Sequence, residues 1–158
     1  MNKYLKITIC VAICLFLGFG SGQVTKTSLL TWYPMLIKPS FNPPNWAFPV
    51  AWTALFVMMG IAAGLVWSKI NNKPTEVKKA LLFFGIQLVL NALWSILFFG
   101  LKNPFLALIE IIVLWLMIYE TFIKFVKIDR IAGNFLIPYL LWVGFATILN
   151  GSIWWLNR

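Results

Sequence analysis

The chain has 158 residues, of which 61% are hydrophobic and 11% charged, with a mean hydropathy of +0.88 and a formal net charge of +9. That leaves too little polar surface to cover a soluble globule, and the basic residues form no long stripe that could track a nucleic-acid backbone, so soluble-domain and nucleic-acid-binding classes are excluded. Histidine is absent and the two cysteines, Cys10 and Cys14, cannot complete a zinc or iron–sulfur site, so no metal and no cofactor is expected.

What remains is an all-α integral membrane bundle of five transmembrane helices. A span needs about 20 apolar residues. Lys6 and Lys26 enclose 19 uncharged residues, Lys38 and Lys69 enclose 30, Lys79 and Lys102 enclose 22, and Arg130 and Arg158 enclose 27. The gap between Lys102 and Lys124 holds only Glu110 and Glu120. Helices are therefore predicted over 5–24, 46–68, 80–100, 104–124 and 133–156, forming one domain. Basic loops stay cytoplasmic. Lys3, Lys6, Lys69, Lys73, Lys78, Lys79, Lys124, Lys127 and Arg130 fall on one side, against Lys26, Lys38, Lys102 and Arg158 on the other. This predicts a multi-pass protein of the cell membrane with a cytoplasmic N-terminus, and anionic lipid headgroups as partners of the positive charge.

In the first span, Lys3 and Lys6 before an apolar run also describe a signal peptide, but no Ala-x-Ala-like cleavage site follows. Cys10, Cys14, Gly18 and Gly22 repeat small residues at a spacing of four, the pattern of a retained and closely packed helix. Next comes a loop over 25–45. The stretch from Trp32 to Trp52 holds three of the nine tryptophans and five of the eight prolines. Pro34, Pro39, Pro43 and Pro44 forbid a helix there and favour a stiff, extended lid.

Asn45 is a plausible N-cap for helix 2, with Pro49 in the first turn. Trp52, Phe56 and Met59 share one helical face suited to a cavity, and Gly60 with Gly64 form a second face suited to packing or to a dimer seam. Helix 3 carries Gln87, Asn91, Trp94 and Phe98 on one stripe. Amides in hydrocarbon need partners, which either neighbouring helices or a ligand would supply. In helix 4, Glu110 sits about 9 Å inside, where carboxylates mark substrate or proton paths or stay neutral and hydrogen-bonded. Glu120 is placed to meet Lys124. In helix 5, Pro138 predicts a bend, and Trp142, Ala146 and Asn150 form a matching stripe.

The rise per residue puts Trp52, Trp94 and Asn150 about 9 Å deep, Asn91 about 13 Å, Ala146 about 15 Å and Trp142 about 21 Å. Interfacial belts account for Trp46, Trp67, Trp154 and Trp155 at span ends, but not for Trp52, Trp94 or Trp142. Three helices thus direct indoles and amides to overlapping depths beneath the proline-rich loop.

These residues carry a resemblance. Trp32-Tyr33-Pro34, Lys38-Pro39-Ser40-Phe41-Asn42-Pro43-Pro44, Trp46 through Trp52, Gln87-x3-Asn91-x2-Trp94, and Ile137-Pro138-Tyr139-Leu140-x-Trp142-x3-Ala146-x2-Leu149-Asn150 resemble the translocator protein family, TspO/MBR, also called tryptophan-rich sensory protein. The likeness runs from about Leu5 to Asn157. It implies a five-helix bundle, often a homodimer, that binds porphyrins and other hydrophobic small molecules under its first long loop. Matched position by position, the ligand-binding residues fall on Tyr33, Pro43, Trp52, Asn91, Trp94, Trp142 and Ala146. In the vertebrate members a Tyr near the C-terminus belongs to a cholesterol-recognition motif. Gly151 and Ser152 stand there in this chain, so the likeness does not extend to that motif.

The function expected is a membrane receptor for porphyrins and other flat apolar ligands. Asn91 and the Tyr33 hydroxyl would orient polar edges, and Lys26 or Lys38 would meet propionates or lipid headgroups. Two other classes stay open. One is light- or oxygen-dependent porphyrin degradation with Trp52 and Trp142 as catalytic candidates. The other is a small transporter using Glu110.

Overall fold

Where proline and glycine fall decides where this chain turns. A computed structural model describes residues 1–158, all helix and connection with no strand. The elements are α1 (Lys3–Thr31), a short 3₁₀ turn (Tyr33–Met35), α2 (Ala47–Trp67), α3 (Pro74–Ser95) continuing into one π turn (Ile96–Gly100), α4 (Pro104–Ile128), α5 (Arg130–Phe135) and α6 (Ile137–Leu156). Five helical stretches are long and apolar enough to cross a membrane, with α3 and its π turn forming one and α5 and α6 together another.

The boundaries correct several expectations. The first helix continues to Thr31 instead of ending near 24, so Lys26 rides on α1 and the loop shrinks to 32–46. No proline interrupts that stretch, and the hydroxyls of Thr25 and Thr31 donate to the carbonyls of Ser21 and Thr27 four residues back, at 3.1 and 2.8 Å. Pro34 stops the helix because its ring nitrogen has no proton for the next rung. Helix 2 starts after Trp46, and no side chain caps it, so Asn45 does not play the capping role. Helix 3 begins at Pro74 instead of near 80, proline being well suited to a first helical position where no donor is missed. The bend expected at Pro138 is a break at Leu136 that separates α5 from α6.

The glycine face of α2 is filled within the chain. A Cβ at Gly60 would overlap the backbone of Val11, and one at Gly64 that of Ile7, so α1 lies directly against α2 at backbone contact distance. Gly60 and Gly64 are therefore a packing seam and unavailable as a dimer seam. The small-residue stripe of α1 is used in part: Cys14 is buried and Gly18 faces the Phe56 ring, whereas Gly22 looks onto open space.

At the end of the bundle carrying the N-terminus, polar ties join the helices. Lys6 donates to the carbonyl of Trp67 at 3.4 Å, a cation at a helix C-terminus. Lys69 pairs with Asp129 at 3.7 Å, and Asp129 caps α5 by accepting from Ile131 and Ala132. Glu120 meets Lys124 at 3.1 Å, as its spacing predicts.

Replacing Gly60 with Val should push α1 off α2, since overpacking against backbone costs about 1–3 kcal/mol. Alkylation of Cys14 would then quicken about tenfold or more. Gly20→Ala, which meets open space, should leave the labelling rate unchanged.

Candidate functional site

Trp52, one turn into α2, is the hub of an aromatic cluster in the half of the bundle nearest the loop. Its ring centroid lies 6.3 Å from Trp94 of α3, 6.5 Å from Trp142 and 6.4 Å from Tyr139 of α6, and 5.8 Å from Phe56. Phe48, four residues before Trp52, touches Trp142 at 6.4 Å and Tyr33 at 6.0 Å. Trp94 stacks on Phe98 at 5.4 Å. Each such pair adds about 0.5–1.5 kcal/mol beyond area burial. Between the rings lies a chamber lined by Tyr33, Phe48, Trp52, Trp94, Phe98, Phe99, Trp142, Phe145, Ala146, Leu149, Asn150 and Ile153. Its open volume is about 20 Å³, room for little more than one water, so the side chains have collapsed onto one another.

The loop closes the chamber as a tied lid. Tyr33 is buried beneath it, and its hydroxyl donates to the Asn42 side chain. Burial pushes the Tyr33 phenol up to about 12, so it remains a neutral donor at any physiological pH. Asn42 in turn donates to the Pro43 carbonyl at 3.2 Å. Lys38 donates to the carbonyls of Tyr33 at 3.0 Å and Leu36 at 2.9 Å, and lies over the Tyr33 ring. From the end of α6, Asn157 clamps Ile37 twice: its side chain accepts from the Ile37 N–H at 2.9 Å and donates to the Ile37 carbonyl at 2.8 Å.

Two polar chains brace the chamber from inside the bundle. In the first, Asn91 donates to the Tyr139 hydroxyl at 2.7 Å, and Tyr139 donates to Gln87 at 2.7 Å. In the second, the Trp94 indole donates to Asn150 at 3.0 Å, and Asn150 donates to the Pro104 carbonyl at 2.8 Å. All five side chains are buried. Both chains are interhelical, joining the polar stripe of α3 to α6.

Of the seven residues expected to bind a ligand, Tyr33, Trp52, Trp94, Trp142 and Ala146 line the chamber. Asn91 and Pro43 do not. Asn91 lies deeper with its amide spent on Tyr139, and Pro43 stays in the lid backbone. The Tyr33 hydroxyl is likewise engaged within the lid, as is Lys38. Sequence reasoning passed over Phe48, Phe145 and the bridging role of Tyr139. Helical spacing marks them, since Phe48 is i−4 from Trp52, and Tyr139 and Phe145 are i−3 and i+3 from Trp142.

Two buried polar groups have no partner. One is the Trp142 indole N–H, on a residue of the chamber wall. The other is the Glu110 carboxyl, both of whose oxygens are unpaired, so of the two states left open for it the hydrogen-bonded one is not seen. Glu110 is not part of the chamber lining.

A family model described as "TspO/MBR family" matches residues 10–156. A tryptophan-rich protein TspO of Chlorobaculum tepidum is 42% identical, with 99% of both chains covered. A tryptophan-rich sensory protein of Cereibacter sphaeroides is 40% identical over 90% of this chain and 89% of its own. A translocator protein of Sus scrofa is 31% identical over 87% of this chain and 81% of its own.

Tyr139→Phe should strand the Asn91 donor and the Gln87 acceptor in an apolar interior. Leaving each such group unsatisfied costs about 1–3 kcal/mol. A lowered thermal midpoint in detergent is expected, and Gln87→Leu combined with it should recover part of the loss.

Proposed function

The chain belongs to the TspO/MBR family, a multi-pass membrane protein, and from that premise we propose that it is a membrane receptor that binds porphyrins and other flat apolar molecules in the aromatic chamber under the loop 32–46. The observation that carries the proposal is the convergence of Tyr33, Trp52, Trp94 and Trp142, from the lid and three different helices, on one nearly water-free space. Flat π-systems gain most from such a surround, because edge and face contacts are available at once. The unpartnered N–H of Trp142, buried on a residue of the chamber wall, offers a hydrogen bond to an acceptor on the ligand.

A ligand of this size needs about 300–1,000 Å³, far more than the 20 Å³ present. Admission therefore requires the rings to turn and the lid to lift. The ties that resist lifting are the Asn157 clamp on Ile37 and the Tyr33–Asn42 bond. With the N-terminus cytoplasmic, as the lysine and arginine distribution favours, the lid faces outward and ligand arrives from that side. A homodimer belongs to the same proposal. Its seam must be some face other than Gly60 and Gly64, which α1 occupies.

Titration of the purified protein with protoporphyrin, followed by both tryptophan quenching and porphyrin absorbance, tests the proposal. Trp52→Ala and Trp142→Ala should each weaken binding about tenfold, whereas Trp155→Ala at the exposed end of α6 should not. Undiminished affinity in both chamber variants would overturn it. Asn157→Ala removes the two-point clamp and should raise the association rate in stopped-flow mixing more than it changes the dissociation rate.

A further inference from the structure

At the opposite end of the bundle from the chamber, α3 and α4 enclose a second cleft of about 340 Å³, and its chemistry is of another kind. Lys73, Lys79, Lys124 and Lys127 line it together with Glu76, giving four positive charges against one negative. Of the four ammonium groups, only Lys124 has a carboxylate partner, Glu120, while Lys73 donates to the Lys127 carbonyl at 3.3 Å. Lys79 and Lys127 have no counter-ion within the chain. The uncapped, positive start of α3 meets the negative C-terminal end of α4 at this edge, so the helix ends offset one another and the lysines set the sign of the field.

The cleft also stands at a boundary. One turn along α3 from Lys79, the Phe83 ring lies 4.1 Å beneath the Lys124 ammonium. Leu82 and Ile86 continue from there as exposed apolar side chains on the same face of α3. Cations above and an uncovered apolar track below match a molecule with a phosphate head and hydrocarbon tails. An inorganic anion would use only the upper part.

We infer that this lysine cleft is a binding site for the phosphate headgroup of an anionic phospholipid, whose acyl chains lie along Leu82, Phe83 and Ile86. The site does not depend on the aromatic chamber, so porphyrin titration and lipid binding report on separate claims. Basic pockets between membrane helices hold anionic headgroups through charge, with each surface lysine contributing about fivefold in affinity. Glu76 opposes that charge from within the cleft and limits the affinity.

The test is native mass spectrometry of the full chain in detergent, titrated with short-chain phosphatidylglycerol and, separately, phosphatidylcholine. Retention of phosphatidylglycerol over phosphatidylcholine is expected. Lys79→Gln and Lys127→Gln should each reduce it about fivefold. Glu76→Gln should increase retention, a gain that damage to the fold would not produce. Lys3→Gln, at the start of α1 and outside the cleft, should change nothing, and inorganic phosphate at equal concentration should not compete. Unchanged retention in Lys79→Gln and Lys127→Gln would overturn the inference. So would an equal loss in Lys3→Gln, which means diffuse charge, or displacement by inorganic phosphate, which means a free-anion site.

Discussion

Inside a bilayer a polar side chain has no water to turn to, and the pairing this imposes on α3 and α6 underlies everything else in the molecule. Gln87, Asn91 and Trp94 of α3 find their partners in Tyr139 and Asn150 of α6. Asn150 then reaches the first carbonyl of α4. Each bond is modest beside its alternative, an orphaned group in hydrocarbon costing about 1–3 kcal/mol. The register between the helices is consequently fixed: a slip of one residue would break both chains together. With the register fixed, Trp94 and Trp142 are carried to the same level of the bundle, and Trp52 of α2 packs against both.

The chamber is thus a by-product of polar bonding around its margins. Its own wall is almost wholly apolar, and the polar groups of Asn150 and Tyr33 that border it are committed to the scaffold. Specificity by hydrogen bonding is correspondingly scarce, and shape and π-surface dominate. That balance suits a receptor for flat molecules better than a site of acid–base chemistry. The α1–α2 seam contributes from behind: backbone contact at Gly60 and Gly64 holds α2 still while its other face carries the indole.

Much of this was legible in the sequence. Charge spacing gave five spans, and a helical wheel with the rise per residue put Trp52, Trp94, Trp142 and Ala146 into one place. Asn91 was harder. An amide on a buried stripe announces that it needs a partner, not which one, and Tyr139 lies 48 residues away. The Tyr33 hydroxyl was expected to face ligand, and Lys38 ligand or lipid headgroups, for a similar reason: composition cannot show that a loop will tie itself together with its own side chains. Helix ends were misjudged where α1 runs on past the apolar segment to Thr31, with no proline before Pro34 to stop it, and where Pro74 opened α3 early. The glycine face of α2 left two occupants open, and only the placement of Val11 and Ile7 decided between them.

The clamp between Asn157 and Ile37 joins positions 120 residues apart. The lid is synthesised early, immediately after α1, yet its tie arrives only with the final helix. During biogenesis the aromatic half of α2 must therefore stand open to surrounding lipid until α6 has been threaded into place. Assembly is completed by the same contact that seals the roof, and six of the twelve residues lining the chamber arrive with that last helix, so a chain stalled before it would have neither latch nor chamber.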